Sequence, residues 1–106
     1  FDVRFIPNPY YVSELRTLTG IDAPVKDFVM KRSETVKFHD KLCDMMKFLL
    51  PYHENEGKDF VVTGIGCTGG RHRSVAIAEE LGAYISKLGY GTVVSHRDMN
   101  NDVNHM

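Results

Sequence analysis

The chain has 106 residues and a mass of 12.0 kDa, which fits one domain and leaves little room for a second. Its 42% hydrophobic and 25% charged residues are typical of a globular protein and exclude collagen, coiled coil and extended disorder. With 13 Lys and Arg against 14 Asp and Glu, overall charge does not drive nucleic-acid or membrane binding. We expect a cytoplasmic domain over residues 1–98, a polar tail over 99–106, and an origin as a fragment of a longer protein.

Three short segments predict β-strands. Residues 1–6 alternate apolar and polar side chains, which is the period of a half-buried strand. Residues 60–66 are almost continuously apolar and rich in β-branched side chains, as is typical of a central strand covered on both faces. Residues 92–95 predict a third strand.

Helical patterns lie between these segments. Asp22 can cap a short helix, and Ser33 can cap a longer one that Pro51 ends or kinks. Residues 74–88 carry a continuous apolar stripe at helical spacing, with Gly89 placed as the C-cap. The order of elements predicts a small three-layer α/β domain with a largely parallel, Rossmann-like sheet and right-handed crossovers.

The glycine-rich segment 66–74 predicts an anion-binding loop between the central strand and the best helix. Unpaired backbone N–H groups and the positive helix end attract anions there, and glycines let the backbone approach a ligand closely. A phosphate or a phosphorylated metabolite is the expected occupant, and the alternative is a turn that only connects two elements. The candidate ligand-binding residues of this segment are Cys67, Thr68, Gly69, Gly70, Arg71, His72, Arg73 and Ser74.

Polar residues near the other strand ends extend this candidate site. Asn8 and Tyr10 follow the first predicted strand, and His96 follows the third. Because ligands of parallel sheets bind beyond the carboxyl ends of the strands, these residues are further candidates. Arg16 either reaches the anion or forms a local salt bridge.

The same segment reads Cys-x5-Arg-Ser, which resembles the loop of cysteine-dependent phosphatases. Under this alternative Cys67, Arg73 and Ser74 are catalytic, although Gly66 stands where tyrosine phosphatases usually have histidine. The favoured interpretation is a domain that is not an enzyme. Arg71 replaces the lysine of a Walker motif, so ATP hydrolysis is not expected, and the five scattered histidines predict no metal site.

Six blocks of the sequence follow a recognisable pattern, and they cover residues 1–5, 7–9, 15–16, 19–25, 66–75 and 96–97. Through these blocks the chain resembles the C-terminal domain of the RapZ/YvcJ family over residues 1–98. The resemblance implies a regulatory domain that binds a nucleotide sugar, UDP-N-acetylglucosamine in some members, self-associates and has a regulatory protein partner. It also implies a separate N-terminal domain that binds ATP or GTP, and no cofactor in this domain.

Carried over by position, the resemblance assigns the phosphate part of the ligand to Thr68, Gly69, Gly70 and Arg73. Asn8, Arg16 and His96 are candidates around it. Enterobacterial members also bind small regulatory RNAs, so an RNA-binding adapter domain is the alternative function. Tyr10 stands where those members have histidine, and the tail lacks their basic cluster, which favours a small ligand over RNA.

Overall fold

A computed structural model describes residues 1–100 of the chain, so residues 101–106 of the predicted polar tail lie outside the described residues. A 3-10 turn over Pro9–Tyr11 is followed by three helices: α1 over Ala23–Met30, α2 over Ser33–Asn55 and α3 over Arg73–Lys87. Helices account for 49% of the described residues, and no β-strand occurs in that range. The predicted α/β fold with a Rossmann-like parallel sheet is therefore wrong.

Hydrogen bonds to the Asp2 side chain interrupt the first predicted strand. One parallel bridge joins Asp2 to Gly66, with Val3 N–H donating to Gly66 at 2.8 Å. The Asp2 carboxylate then accepts hydrogen bonds from the Arg4 backbone N–H at 2.9 Å and from the Arg4 guanidinium, which lowers the pKa of Asp2 to about 2. Such local bonds compete with a strand ladder. The ladder therefore stops after one bridge.

The other two predicted strands lack a ladder. Residues 60–65 and 91–96 have no regular secondary structure. Phe60 and Val62 are 79% and 82% exposed, which contradicts the burial on both sheet faces expected for residues 60–66, and Val93 is 93% exposed. Apolar β-branched composition favours extended backbone, but a strand also needs a neighbour in register. The glycine-rich segment therefore joins an irregular segment to α3 rather than a central strand to a helix.

The helical predictions are confirmed, with differences at two ends. Asp22 is the N-cap residue of α1, although its carboxylate accepts from the Thr19 N–H at 2.8 Å instead of from the helix. The second helix begins at Ser33 with Arg32 in the cap position. It continues through Pro51 to Asn55, so the proline does not end it.

The core is built around α3, which contributes to two buried clusters. The first cluster joins α3 to α1 and the N-terminal segment, and the second joins it to α2. Cys43 lies in the second cluster as a small buried side chain, and burial raises the pKa of its thiol. The first cluster contains Val3, Ile6, Leu15, Val25, Val29, Ala76 and Ile77, and the second contains Leu42, Cys43, Met46, Leu50 and Leu81.

The longest helix of residues 1–100 is α2, with 23 residues. Charged side chains interrupt its sequence at Lys37, Asp40, Lys41, Asp44 and Lys47. Neither α2 nor any other helix of the described range combines the length and the apolar character needed to cross a membrane.

Candidate anion-binding site

Two consecutive glycines shape the turn before α3. Gly69 and Gly70 have φ angles of 79° and 65°, in the left-handed region that side chains with a Cβ rarely adopt. A Cβ added to Gly70 would also lie 3.2 Å from the Cβ of Asp98. The backbone therefore turns at Gly69 and Gly70 shortly before α3 begins at Arg73.

The backbone N–H groups of this turn are open. Within residues 1–100, no group accepts a hydrogen bond from the N–H of Thr68, Gly69 or Gly70. Successive free N–H groups beside a helix N-terminus form a concavity with positive potential, which is the usual geometry of phosphate and carboxylate sites. The predicted anion-binding loop thus has the donors that an anion needs.

A cavity of about 510 Å³ lies against this turn. Of the residues predicted for the site, it brings together Cys67, Gly70, Ser74 and His96. Cavities that hold small ligands usually measure roughly 300–1,000 Å³. The complete lining consists of Phe1, Thr63, Gly64, Ile65, Gly66, Cys67, Gly70, Ser74, Ala78, Ser95, His96, Arg97 and Asp98.

Arg97 is a lining residue that was not among the predicted site residues. Its side chain is 92% exposed and donates from Nε to the Asp98 carboxylate at 3.0 Å. Its position directly after His96, at the end of a predicted strand, could have identified Arg97 as a site residue from the sequence. Arg97 supplies an accessible cation at the cavity, while Asp98 supplies an opposing negative charge that this ion pair partly offsets.

Cys67 and Ser74 contact each other across the turn. The Ser74 backbone N–H donates to Cys67 Sγ, and the thiol donates to Ser74 Oγ, both at 3.3 Å. Ser74 is the second residue of α3, so the sulfur lies at the positive end of the helix. The contact brings together two residues of the phosphatase-like motif, whose catalytic role stays a prediction.

Arg73 is directed to the N-terminal segment. Its side chain is buried, and Nη1 donates to the carbonyl oxygens of Arg4 at 2.9 Å and Ile6 at 2.8 Å. Arg73 Nε is buried without an acceptor among the described residues. Because Arg73 does not line the cavity, a role in phosphate binding stays a prediction.

Arg71 binds backbone carbonyls on both sides of the turn. Its Nε donates to Leu18 at 3.0 Å, Nη1 donates to Met99 at 2.7 Å, and Nη2 donates to Thr17. A guanidinium with several donors in a fixed fork suits such bracing. The arginine therefore joins the 17–18 loop to the segment after His96.

His72 is buried at the start of α3, with 1% of its surface exposed. Its Nε2 donates to the Arg16 carbonyl at 3.1 Å, because a carbonyl oxygen only accepts. Nδ1 has no partner within residues 1–100, and burial lowers the pKa of the imidazole below its ordinary value. His72 thus acts as a neutral internal link rather than as a cation of the cavity.

The remaining predicted site residues lie away from the cavity lining. Asn8 caps the 3-10 turn by accepting from the Tyr10 N–H at 3.1 Å. Arg16 donates to the Tyr10 carbonyl at 2.8 Å and places its guanidinium 4.8 Å from the Tyr10 ring centre. Thr68 is exposed and Gly69 half-buried in the turn itself.

His96 reaches α3 through a hydrogen-bond partner that the sequence did not indicate. Its Nε2 lies 2.9 Å from Glu79 Oε1, and only 9% of its side chain is exposed. The chain separation of 17 residues explains why no local pattern revealed this pair. In residues 1–100 no group of three or more His, Cys, Asp and Glu side chains could hold a metal ion.

Comparison with known proteins gives consistent matches. The profile of the RapZ C-terminal domain matches residues 1–100. A nucleotide-binding protein of Clostridium beijerinckii is 52% identical over 103 residues, which are 97% of this chain and 35% of that protein. A nucleotide-binding protein of Caldanaerobacter subterraneus is 58% identical over 99 residues, covering 93% of this chain and 35% of that protein. The chain thus spans about a third of the length of these relatives.

Proposed function

Because the chain belongs to the RapZ C-terminal domain family, we propose that it is a regulatory domain that binds a nucleotide sugar, UDP-N-acetylglucosamine in the first instance. The turn over residues 66–74 holds the phosphates. Similar proteins carry the name nucleotide-binding protein, which supports a nucleotide as ligand. Ligand occupancy regulates the protein by stabilising the conformation that binds it, without any chemical step.

The open N–H groups of Thr68, Gly69 and Gly70 are the single observation that carries this proposal. Exposed backbone donors at a helix N-terminus favour a compact anion with several acceptor oxygens. The adjoining cavity of about 510 Å³ offers space for the uncharged part of such a ligand.

Electrostatics at the cavity favour a phosphate over a neutral sugar. Arg97 is accessible there, and its guanidinium can bind phosphate oxygens through two parallel hydrogen bonds. The Asp98 carboxylate repels an anion. Ligand binding therefore requires either that Arg97 stay paired with Asp98 or that the phosphate stay close to the turn. A diphosphate, with its greater charge, therefore gains more than a monosaccharide does.

Calorimetry with UDP-N-acetylglucosamine tests the proposal on a matched pair of variants. Thr68 is exposed, so Thr68→Glu and Thr68→Gln differ in charge but hardly in size. A carboxylate beside the open N–H groups repels phosphate, and we expect Thr68→Glu to weaken binding at least about tenfold. Thr68→Gln keeps affinity close to the original.

The same titration separates the parts of the ligand. UDP and N-acetylglucosamine are titrated individually, and we expect UDP to retain most of the affinity because the turn binds phosphate. Equal affinities for Thr68→Glu and Thr68→Gln would remove the turn from the site. Absence of heat with every one of these compounds would contradict nucleotide-sugar binding itself.

A cysteine-dependent phosphatase is a second candidate, favoured by the contact between Cys67 and Ser74. The thiol lies at the helix N-terminus and lines a cavity, as a nucleophile of this class requires. Arg73, which the motif assigns to phosphate, donates to backbone carbonyls instead. Turnover of an aryl phosphate that disappears in Cys67→Ser would support this activity, and binding of phosphate without turnover would oppose it.

A further inference from the structure

A hydrogen bond between His96 and Glu79 connects the cavity beside the glycine-rich turn to α3. His96 lines the cavity, and its Nε2 lies 2.9 Å from Oε1 of Glu79, a residue in the second turn of α3. Because a carboxylate accepts hydrogen bonds and has none to donate, Nε2 carries the proton of this bond. The ring nitrogen that is left for another partner is therefore Nδ1.

The segment that carries His96 is held on α3 at a second point. A Cβ at Gly82 would overlap the side chain of Val94, so the missing side chain lets Val94 lie directly against the helix. Two anchors, Val94 on Gly82 and His96 on Glu79, fix the position from which the imidazole borders the cavity. Only 9% of the His96 side chain is exposed, so the ring has little freedom to change its orientation.

Nδ1 of His96 is accessible to a ligand. It forms no hydrogen bond within residues 1–100, and the fold does not enclose it as it encloses Nδ1 of His72. The accessible atom belongs to a side chain that is otherwise buried and lines the cavity, so a molecule in the cavity can reach it. A neutral imidazole that donates from Nε2 accepts a hydrogen bond at Nδ1.

The charges of His96 and Glu79 disfavour a phosphate beside the imidazole. With a neutral ring the pair carries the negative charge of the carboxylate, and with a protonated ring the two charges cancel. In neither state does the pair carry a net positive charge. The open N–H groups of the glycine-rich turn lie instead at a positive helix N-terminus. A phosphate is therefore attracted to the turn, which leaves His96 for an uncharged part of the ligand.

We propose that Glu79 is a positioning residue that fixes the His96 ring, and that Nδ1 of His96 accepts a hydrogen bond from a hydroxyl or amide N–H group in the uncharged part of the ligand. This role rests on the proposed function, because it concerns the same cavity. The ligand then needs a hydrogen-bond donor in addition to its phosphates. Both a sugar and a nucleoside have such donors, and comparison of UDP-N-acetylglucosamine with UDP distinguishes the two sources.

His96→Phe tests the acceptor by calorimetry. Phenylalanine keeps an aromatic ring but has no nitrogen, so we expect the affinity for UDP-N-acetylglucosamine to fall about three- to tenfold. An unchanged affinity of this variant for UDP assigns the donor to the sugar, whereas an equal loss with UDP assigns it to the nucleoside. Either result supports an acceptor at His96. Equal affinities of His96→Phe and the unmodified chain for UDP-N-acetylglucosamine would overturn the proposal.

Glu79→Gln and Glu79→Leu test the positioning role. Glutamine has an oxygen that accepts from Nε2, so Glu79→Gln should keep the affinity within about twofold, whereas Glu79→Leu should weaken binding as His96→Phe does. Glu80→Leu is the matched control, because it makes the same change at the next position of α3, where Glu80 pairs with Lys26 and does not line the cavity. The positioning role is wrong if Glu79→Gln binds as weakly as Glu79→Leu, or if Glu80→Leu weakens binding equally.

Nitrogen-15 spectra of the histidine rings measure where the ring proton of His96 lies. We expect it on Nε2 in the unmodified chain and in Glu79→Gln, and distributed over both nitrogens in Glu79→Leu. This measurement needs no ligand, so it also tests variants that do not bind. A proton on Nδ1 of His96 in the unmodified chain would overturn the proposal.

The two proposals fail in different ways. If the unmodified chain binds neither UDP-N-acetylglucosamine nor UDP, nucleotide-sugar binding is contradicted and the role of His96 falls with it. If Thr68→Glu weakens binding while the His96 and Glu79 variants bind normally, the turn keeps its function and only the role of His96 and Glu79 is overturned. Circular dichroism of each variant excludes unfolding as the cause of a loss.

Discussion

Arg73 donates a hydrogen bond from Nη1 to the carbonyl oxygen of Ile6 at 2.8 Å, across 67 positions of the chain. The bond joins the first turn of α3 to an N-terminal segment that also packs into the first core cluster and forms one β-bridge with Gly66. Arg73 is 4% exposed and Ile6 is 1% exposed, so the bond is shielded from water. Its electrostatic contribution is correspondingly larger than that of a surface bond.

Substitution of Arg73 is therefore expected to destabilise the fold. Arg73→Ala removes the donor to Ile6 and leaves that buried carbonyl without its partner, so the free energy of unfolding should fall by about 2 to 4 kcal/mol. Arg97→Ala is the control, because that side chain is 92% exposed and should cost less than about 0.5 kcal/mol. Urea unfolding of both variants measures the difference, and equal stabilities would contradict the bracing role.

His72 makes the stability depend on pH. Burial lowers the pKa of His72 below its ordinary 6.5, so the unfolded chain binds a proton at a higher pH than the folded chain does. The stabilising contribution is present above about pH 6.5 and is lost as the pH falls through that value toward the folded pKa. Urea midpoints should therefore decrease from about pH 7.5 to pH 5.5.

His72→Gln is the variant that isolates this effect. Glutamine can donate to the Arg16 carbonyl but does not titrate, so the slope of the midpoint against pH should become smaller. His53→Gln, on α2, is the control for removal of a histidine elsewhere in the chain. An identical slope for His72→Gln and the original chain would contradict our assignment.

Gly20 allows a close approach between the 17–22 loop and α3. A Cβ at this position would lie 2.4 Å from the Ala76 nitrogen and 2.4 Å from the His72 carbonyl oxygen. Both are backbone atoms, so Gly20→Ala should destabilise the protein by about 1 to 3 kcal/mol or more. Gly91→Ala, where a Cβ meets nothing within 4 Å, is the matched control for thermal unfolding. A shared melting temperature would show that the loop can move away cheaply.

The ion pair between Lys26 and Glu80 should contribute little despite its short distance of 2.6 Å. It joins α1 to α3, but the two side chains are 44% and 31% exposed, so water and salt screen it. A double-mutant cycle with Lys26→Ala and Glu80→Ala should give a coupling energy of about 0.2 to 1 kcal/mol that decreases with salt. A coupling above that range, or one that salt leaves unchanged, would refute this assessment.

Local patterns were sufficient for the helices. The stripe from Ser74 to Leu88 predicted α3; the C-cap is Leu88 rather than Gly89, and Gly89, the next residue, has a left-handed φ of 97°. Gly69 and Gly70 also have left-handed φ angles, which adjacent glycines permit, while anion binding by their backbone stays a prediction. The helices depend on neighbouring residues, which a sequence displays directly.

The sheet and the partners of the charged residues depended on distant contacts. The prediction of a strand at residues 1–6 did not include the hydrogen bonds from Arg4 to the Asp2 carboxylate. The sequence predicted Arg71 and Arg73 as phosphate ligands from their charge. It could not show which carbonyl oxygens of residues 4–18 lie near their guanidinium groups and accept hydrogen bonds from them. A sequence identifies the hydrogen-bond donors available to a site, whereas the packing of the fold determines which acceptors they meet.

Among residues 1–100, no group accepts a hydrogen bond from the main-chain N–H of Thr68, Gly69 or Gly70. Substitution by alanine keeps the peptide N–H, so an alanine scan across this turn would leave these donors in place. Exchange of single peptide bonds for esters would remove one donor at a time without altering any side chain. Neutral substitutions at the exposed Thr68 would therefore keep all three donors, whereas the left-handed φ angles of Gly69 and Gly70 restrict what can replace those two residues.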